Sequence, residues 1–127
     1  MDREELLRRY AAGERDFSDV SLERGVDLSG VCLAGADLSH AFLRRVNFSS
    51  ANLSSANLSH ADFHSANLTG ANLEGTNIAE ANIIGANLTR ANLRGTIGSF
   101  GFAHAALYHN TIMPSGKLFV GPDTIEG

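Results

Sequence analysis

The sequence holds one cysteine, no long apolar run and no surplus of positive charge. The lone Cys32 excludes an intramolecular disulfide framework. Met1 is followed at once by Asp2, Arg3, Glu4 and Glu5, and no twenty-residue apolar span occurs anywhere. Neither a signal peptide nor a membrane helix is therefore expected, and the default reading is a soluble cytoplasmic protein with no membrane partner. Ten Lys and Arg stand against 14 Asp and Glu, for a formal net charge of −4. Nothing in that balance argues for a nucleic-acid partner. No glycine-rich phosphate loop follows a strand, and no local motif orders a nucleophile, a base and an orienting acid. The expectation is a protein that is not an enzyme and carries no cofactor.

What the chain does have is a five-residue word, written fourteen times without a gap from Val26 to Gly95. The centre of every word is apolar: Leu28, Leu33, Leu38, Leu43, Phe48, Leu53, Leu58, Phe63, Leu68, Leu73, Ile78, Ile83, Leu88 and Leu93. Two positions earlier stand ten Ala, three Val (Val26, Val31, Val46) and Thr76. Immediately before the centre, twelve of fourteen words carry Asn or Asp, the exceptions being Cys32 and Phe42.

A period of five excludes the ordinary elements. Five helical residues turn the chain by about 500°, so successive centres would step about 140° around the axis and leave no buried stripe. In a flat strand the side-chain period is two, and an odd repeat puts neighbouring centres on opposite faces. A chain that turns a corner every five residues instead sends each centre, and the small residue two before it, into one interior. That is an all-β solenoid whose short sides stack about 4.8 Å apart. Asx, Ser and Gly suit its corners. Three sides or four remain open on this reasoning.

The word A-(D/N)-(L/F)-X-X resembles the signature of the pentapeptide repeat family, over residues 17 to 95. The resemblance implies a right-handed quadrilateral β-helix with four words, hence twenty residues, in each coil. Leu28, Phe48, Leu68 and Leu88 would then form one interior column, and Leu43, Phe63 and Ile83 another. Fourteen words would make three and a half coils, about 17 Å of solenoid.

One domain is expected over 1–127, in three parts. Residues 1–14 read as a helical cap, with Asp2 as N-cap, Glu4 and Glu5 in the first turn and Gly13 as the stop. Glu4 with Arg8 and Glu5 with Arg9 make two i,i+4 pairs, while Leu6, Leu7 and Tyr10 share the other face. The stretch from Glu5 to Phe17 also resembles the N-terminal cap of compact cyanobacterial members of the family. Residues 15–97 hold the repeats, about four coils, because Phe17 and Leu22 extend the pattern backwards. One extra residue near Arg24 and Gly25 reads as a bulge at a corner. The pattern fails at Gly98, so 98–127 reads as a C-terminal cap and tail: an apolar segment from Phe100 to Tyr108 with one helical turn, a turn at Met113 to Gly116, an extended Leu118 to Val120 and a frayed end from Gly121 to Gly127.

Candidate chemistry is sparse. His60 and His64 have metal-ligand spacing only if helical, and a solenoid separates them. His40, His60 and Glu80, each twenty residues apart, would stack as one outward column and are the weak metal candidate; no metal is otherwise expected. Cys32 and Phe42 stand at outward positions. Phe42 lies next to Arg44 and Arg45, either buried beneath the N-terminal helix or the connecting loop, or part of a partner-binding patch that includes an exposed Ile84 and Ile97.

Three functions fit such a chain. The preferred one is a non-catalytic structural or protein-interaction scaffold, with another protein as partner and a monomer as the state. The alternative is DNA mimicry, since some members of the family it resembles bind DNA gyrase, inhibiting it or protecting it from quinolones. From Phe17 to Ile97, seven acids stand against five Arg, whereas about 17 Å of B-DNA carries roughly ten phosphates. The third, a metal-dependent enzyme on the histidine column, has no further support.

Overall fold

The computed structural model describes residues 1–125. Parallel backbone bridges join residues twenty apart, or twenty-one where Asp16 and Ser21 pair with Asp37 and Phe42, along four rows. Side one runs through Asp27, Asn47, Asn67, Asn87 and Leu107; side two through Cys32, Asn52, Asn72, Asn92 and Ile112. Side three runs through Asp16, Asp37, Asn57, Asn77 and Ile97; side four through Ser21, Phe42, Asp62, Asn82 and Phe102. The coil length is therefore four words, which the period alone left open.

Each word uses its backbone in the same way. The residue before the centre donates to and accepts from the coil before it, as Asn47 does with Val26 O (2.9 Å) and Leu28 N–H (2.8 Å). The centre's carbonyl then accepts from the N–H three residues on, as Leu58 O does from Ala61 (3.1 Å). The second residue after every centre from Gly30 to Gly95 has positive φ, including His40, Arg45, Ser50, Ser55, His60, Ser65, Glu80 and Arg90. A 1→4 bond with only the third residue left-handed marks a type II corner.

The Asx position completes that corner. All twelve Asn and Asp of the tract accept, through Oδ1, the N–H two residues ahead, as Asn57 does from Ser59 at 3.0 Å. These side chains are mostly half-buried rather than free, because they fold back onto their own turn. Inside, all fourteen centres are buried, and so are the ten Ala, Val31, Val46 and Thr76. Phe48 and Phe63, from adjoining sides, meet with ring centroids 5.8 Å apart and tilted by 57°.

Helix α1 (Arg3–Ala11) is the expected cap. Asp2 accepts the Glu5 N–H, and Gly13 takes φ 101° just beyond the end. Leu6 is wholly buried, and the Tyr10 hydroxyl donates to Ala34 O at 2.6 Å. Of the two expected ion pairs, Glu5 with Arg9 forms at 3.9 Å. Arg8 instead meets Glu5 at 3.8 Å, so Glu5, not Glu4, serves both arginines. The bulge is confirmed near Arg24. Ser21 pairs with Phe42, twenty-one residues on, whereas Asp27 pairs with Asn47, twenty on.

The boundary at Ile97 requires correction. The coils do not stop where the words stop: Ile97, Phe102, Leu107 and Ile112 bridge Asn77, Asn82, Asn87 and Asn92 in unbroken register. A further coil stands on the last regular one, and the expected helical turn is absent, Ala106–Tyr108 being strand β1. The physical reason is that stacking depends on backbone bonds and on small residues two before each centre, here Thr96, Gly101, Ala106 and Thr111. Gly98 occupies a centre because a Cβ there would lie 2.8 Å from that of Ala79.

Strand β2 (Thr111–Ile112) and β3 (Leu118–Phe119) form an antiparallel pair around the expected turn, closed by Gly116 N–H to Met113 O at 2.7 Å. The tail expected to fray is paired instead: β4 (Asp123–Ile125) lies antiparallel to β1. Residues 126 and 127 of that expected tail lie outside the described residues.

Candidate functional site

With four sides built from one word, chemistry concentrates where words depart from pattern, and side four departs most. Its outward row reads Ser21, Phe42, Asp62, Asn82, Phe102. Phe42 is 56% exposed and lies under neither α1 nor a loop. Lacking an Asx oxygen, it leaves the Arg44 N–H without the corner bond its neighbours have. Arg44 Nε donates instead to Asp62 Oδ2 at 2.6 Å across one coil, and the Asn82 amide reaches Asp62 Oδ1 at 3.4 Å.

Just beyond this row, the corner after side four carries Arg24, Arg44, His64, Ile84 and His104, one above another. Arg45 sits at the corner itself with φ 60°. Arg24, Arg44 and Arg45 are all exposed. The expected patch of Phe42, Arg44, Arg45 and Ile84 is thus assembled, with two corrections. Ile84 is half-buried, because it packs in line between His64 and His104 instead of standing free. Ile97, 61% exposed, belongs to side three and points away from Phe42.

Sequence reasoning missed Arg24 and Phe102. Arg24 aligns with Arg44 only once the bulge precedes it, as Gly25 N–H to Arg44 O shows. Phe102, 61% exposed, is three coils above Phe42 on the same row. Carrying the twenty-residue register past residue 97 would have found it.

The preceding corner holds the histidine column. His40 and His60 do stack, with centroids 4.7 Å apart and planes parallel within 1°. The bulge adds Asp19 beneath them, its N–H bonding Ser39 O. That geometry defeats a shared metal. An imidazole nitrogen binds a cation in its own ring plane at about 2.0–2.1 Å, and two parallel, separated planes have no common point. The Glu80 carboxylate lies against the next coil, Oε2 being 3.0 Å from where a Cβ on Gly101 would sit. Among the described residues no group of three His, Cys, Asp or Glu is placed to hold a metal. His64 is a coil-side neighbour of neither; its Nδ1 pairs with Ser65 Oγ at 3.0 Å.

Cys32 is exposed on side two, 3.9 Å from the Tyr10 hydroxyl. Burial, followed by the Cys32 contact, raises the Tyr10 phenol above its ordinary value. No described helix is long and apolar enough to cross a membrane.

Comparison with known proteins agrees with the architecture. The chain is similar to HetL, a pentapeptide repeat protein involved in heterocyst differentiation regulation from the cyanobacterium Nostoc sp. strain PCC 7120, at 35% identity and a TM-score of 0.60 over 76% of this chain and 42% of that one. It therefore spans less than half of HetL. It is similar to a pentapeptide repeat protein of the Arabidopsis thaliana thylakoid lumen at 37% identity, covering 72% of this chain and 69% of that one with a TM-score of 0.47. QnrB1, a plasmid-mediated fluoroquinolone resistance protein, shares the fold at 19% identity and a TM-score of 0.52, over 76% of this chain and 54% of that one. No protein with a curated description matches. The sequence model of the pentapeptide repeats, with eight copies, matches residues 27–64 and 56–95, more than half of the sequence, and the chain belongs to the pentapeptide repeat family.

Proposed function

We propose that this chain is a non-catalytic protein-interaction scaffold on a right-handed quadrilateral β-helix, and that side four is its docking face. Four bridge rows at twenty-residue spacing support the quadrilateral form. One observation carries the functional reading: Phe42, 56% exposed, occupies a position where Asn or Asp would complete the corner. A phenyl ring left more than half in water gains little from folding, and the word forgoes its Asx bond, so packing gives little account of this residue. Contact with a partner does.

The alternative of gyrase binding draws nothing from charge, because the unpaired arginines of side four oppose a phosphate-like surface. Likeness to QnrB1 at 19% identity speaks to fold alone.

The test places a photocrosslinking amino acid at position 42, and at position 52 of side two as control, in extract of the native cell. Specific adducts at 42 alone are expected. Equal labelling at both positions, or none, would overturn the reading. A gyrase supercoiling assay with and without the protein decides the alternative: inhibition or quinolone protection would replace the scaffold.

A further inference from the structure

We propose that the partner of side four is an acidic protein segment with an apolar anchor, its carboxylates held by Arg24 and Arg45 and its anchor by Phe42. This rests on side four being the docking face.

The charges argue for it. Arg44 is neutralised by Asp62 at 2.6 Å, but neither Arg24 nor Arg45 makes an ion pair among the described residues, and both are exposed. Glu23, the nearest other acid along the chain, borders the separate hollow formed with Met1, Asp2 and Ser21. In a chain of net charge −4, an uncompensated pair of guanidinium groups at one corner is a local reversal of sign.

The spacing argues for it too. Arg24 and Arg45 project from successive coils and are offset by one residue along the chain, since Arg24 stands level with Arg44; the stacking step and one Cα step together separate them by about 6 Å. Extended chains place alternate residues about 7 Å apart on one side, and helices place i and i+4 residues about 6 Å apart. Flexible guanidinium stems bridge the difference, and each fork can hold one carboxylate bidentately. Phe42, on the row beside them, is the apolar contact that desolvates those pairs and makes them count.

Nucleic acid would meet the same cations, and the experiment separates the two. A short labelled peptide with several glutamates around one leucine is titrated by fluorescence anisotropy. Beside it run the same peptide with every Glu replaced by Gln, and an oligothymidylate. Variants are Phe42→Asn, which restores the repeat word and so keeps the fold, the pair Arg24→Glu with Arg45→Glu, and Arg90→Glu on another corner.

The acidic peptide is expected to bind the wild type, the Gln peptide not to. Phe42→Asn and the arginine pair should each weaken binding by about tenfold or more, Arg90→Glu should not, and raised salt should weaken it. The inference is overturned by no binding, by equal binding of the Gln peptide, by indifference to the arginine pair, or by tighter binding of the oligothymidylate. Absence of peptide binding together with selective crosslinking at position 42 would sink this inference and leave the scaffold standing. Absence of both would sink the two together.

Discussion

The imidazole rings of His40 and His60 lie 4.7 Å apart and parallel within 1°, one coil above the other. Both residues hold φ of 59°, so identical backbones project identical rotamers at the pitch of the stack. The parallelism is a consequence of register. It brings two titratable rings together while denying them a common coordination point.

Zinc should accordingly leave this protein unchanged. The melting temperature in excess zinc is expected to equal that in chelator, for the wild type and for His60→Ala alike. A zinc-dependent rise in the wild type, abolished in His60→Ala, would show that the rings leave the stack to bind metal.

The interior is closely filled, apart from a small apolar cavity beside Phe63. Phe63 is buried and touches Phe48 at 5.8 Å between centroids, so Phe63→Ala should cost about 3–5 kcal/mol in urea unfolding. Ser54, half-buried on side two, should tolerate Ala within about 1 kcal/mol, because only its hydroxyl bond to Asn52 Oδ1 at 2.7 Å is lost. Equal effects of the two substitutions would contradict the inward orientation of the centres.

Two glycines should respond differently to the same change. Gly75 has φ 69°, and an added Cβ meets only Ser55 Oγ at 3.7 Å. Gly75→Ala should therefore cost about 1–2 kcal/mol, the left-handed penalty alone. At Gly98 the added Cβ would also lie 2.8 Å from Ala79 Cβ and 2.9 Å from its backbone nitrogen. Gly98→Ala should be clearly the more damaging, and thermal unfolding of the two variants side by side decides it.

Stability should fall at both pH extremes, for separate reasons. Asp27 accepts from Ser29 Oγ at 2.7 Å and from its N–H at 3.0 Å, which holds its carboxyl below the ordinary 3.8. A folded value below the unfolded one means that this stabilisation is present above pH 3.8 and lost as pH falls through the lowered value. Asp16 behaves likewise through Ser18. Tyr10 is raised from 10.0, so its contribution is intact below that pH and lost as pH rises through the folded value. Replacing Asp16 and Asp27 with Asn, the residue most words already use, should flatten the acid limb of melting temperature against pH. Tyr10→Phe should flatten the alkaline limb, and limbs unchanged by these variants would place the titrating groups elsewhere.

The twenty-residue register was legible to the extent that side chains repeat. The word sends Leu28, Phe48, Leu68 and Leu88 inward, and the four-word coil that the family resemblance implied puts them on one side. From Ile97 to Ile112 the side chains no longer advertise the coil, yet the backbone continues it, since the bonds that Ile97 N–H donates to Thr76 O and Leu107 N–H donates to Ala86 O need no particular side chain. The docking face was half-legible for the same reason. Phe42, Arg44 and Arg45 were visible as departures from the word, whereas Arg24 joined them only through the bulge, and Phe102 only through the last coil.

By itself, then, the sequence determined the word, the buried centres and the corner chemistry, all set by interactions within five residues or between identical neighbours. Tertiary structure alone decided that the coils run on past the last word, that Ile84 is half-buried while Phe42 and Phe102 stand exposed on one row, and that His40 and His60 face each other too squarely to share a metal. Those outcomes depend on how residues twenty apart are brought together by stacking. No local pattern carries that information once the repeat breaks.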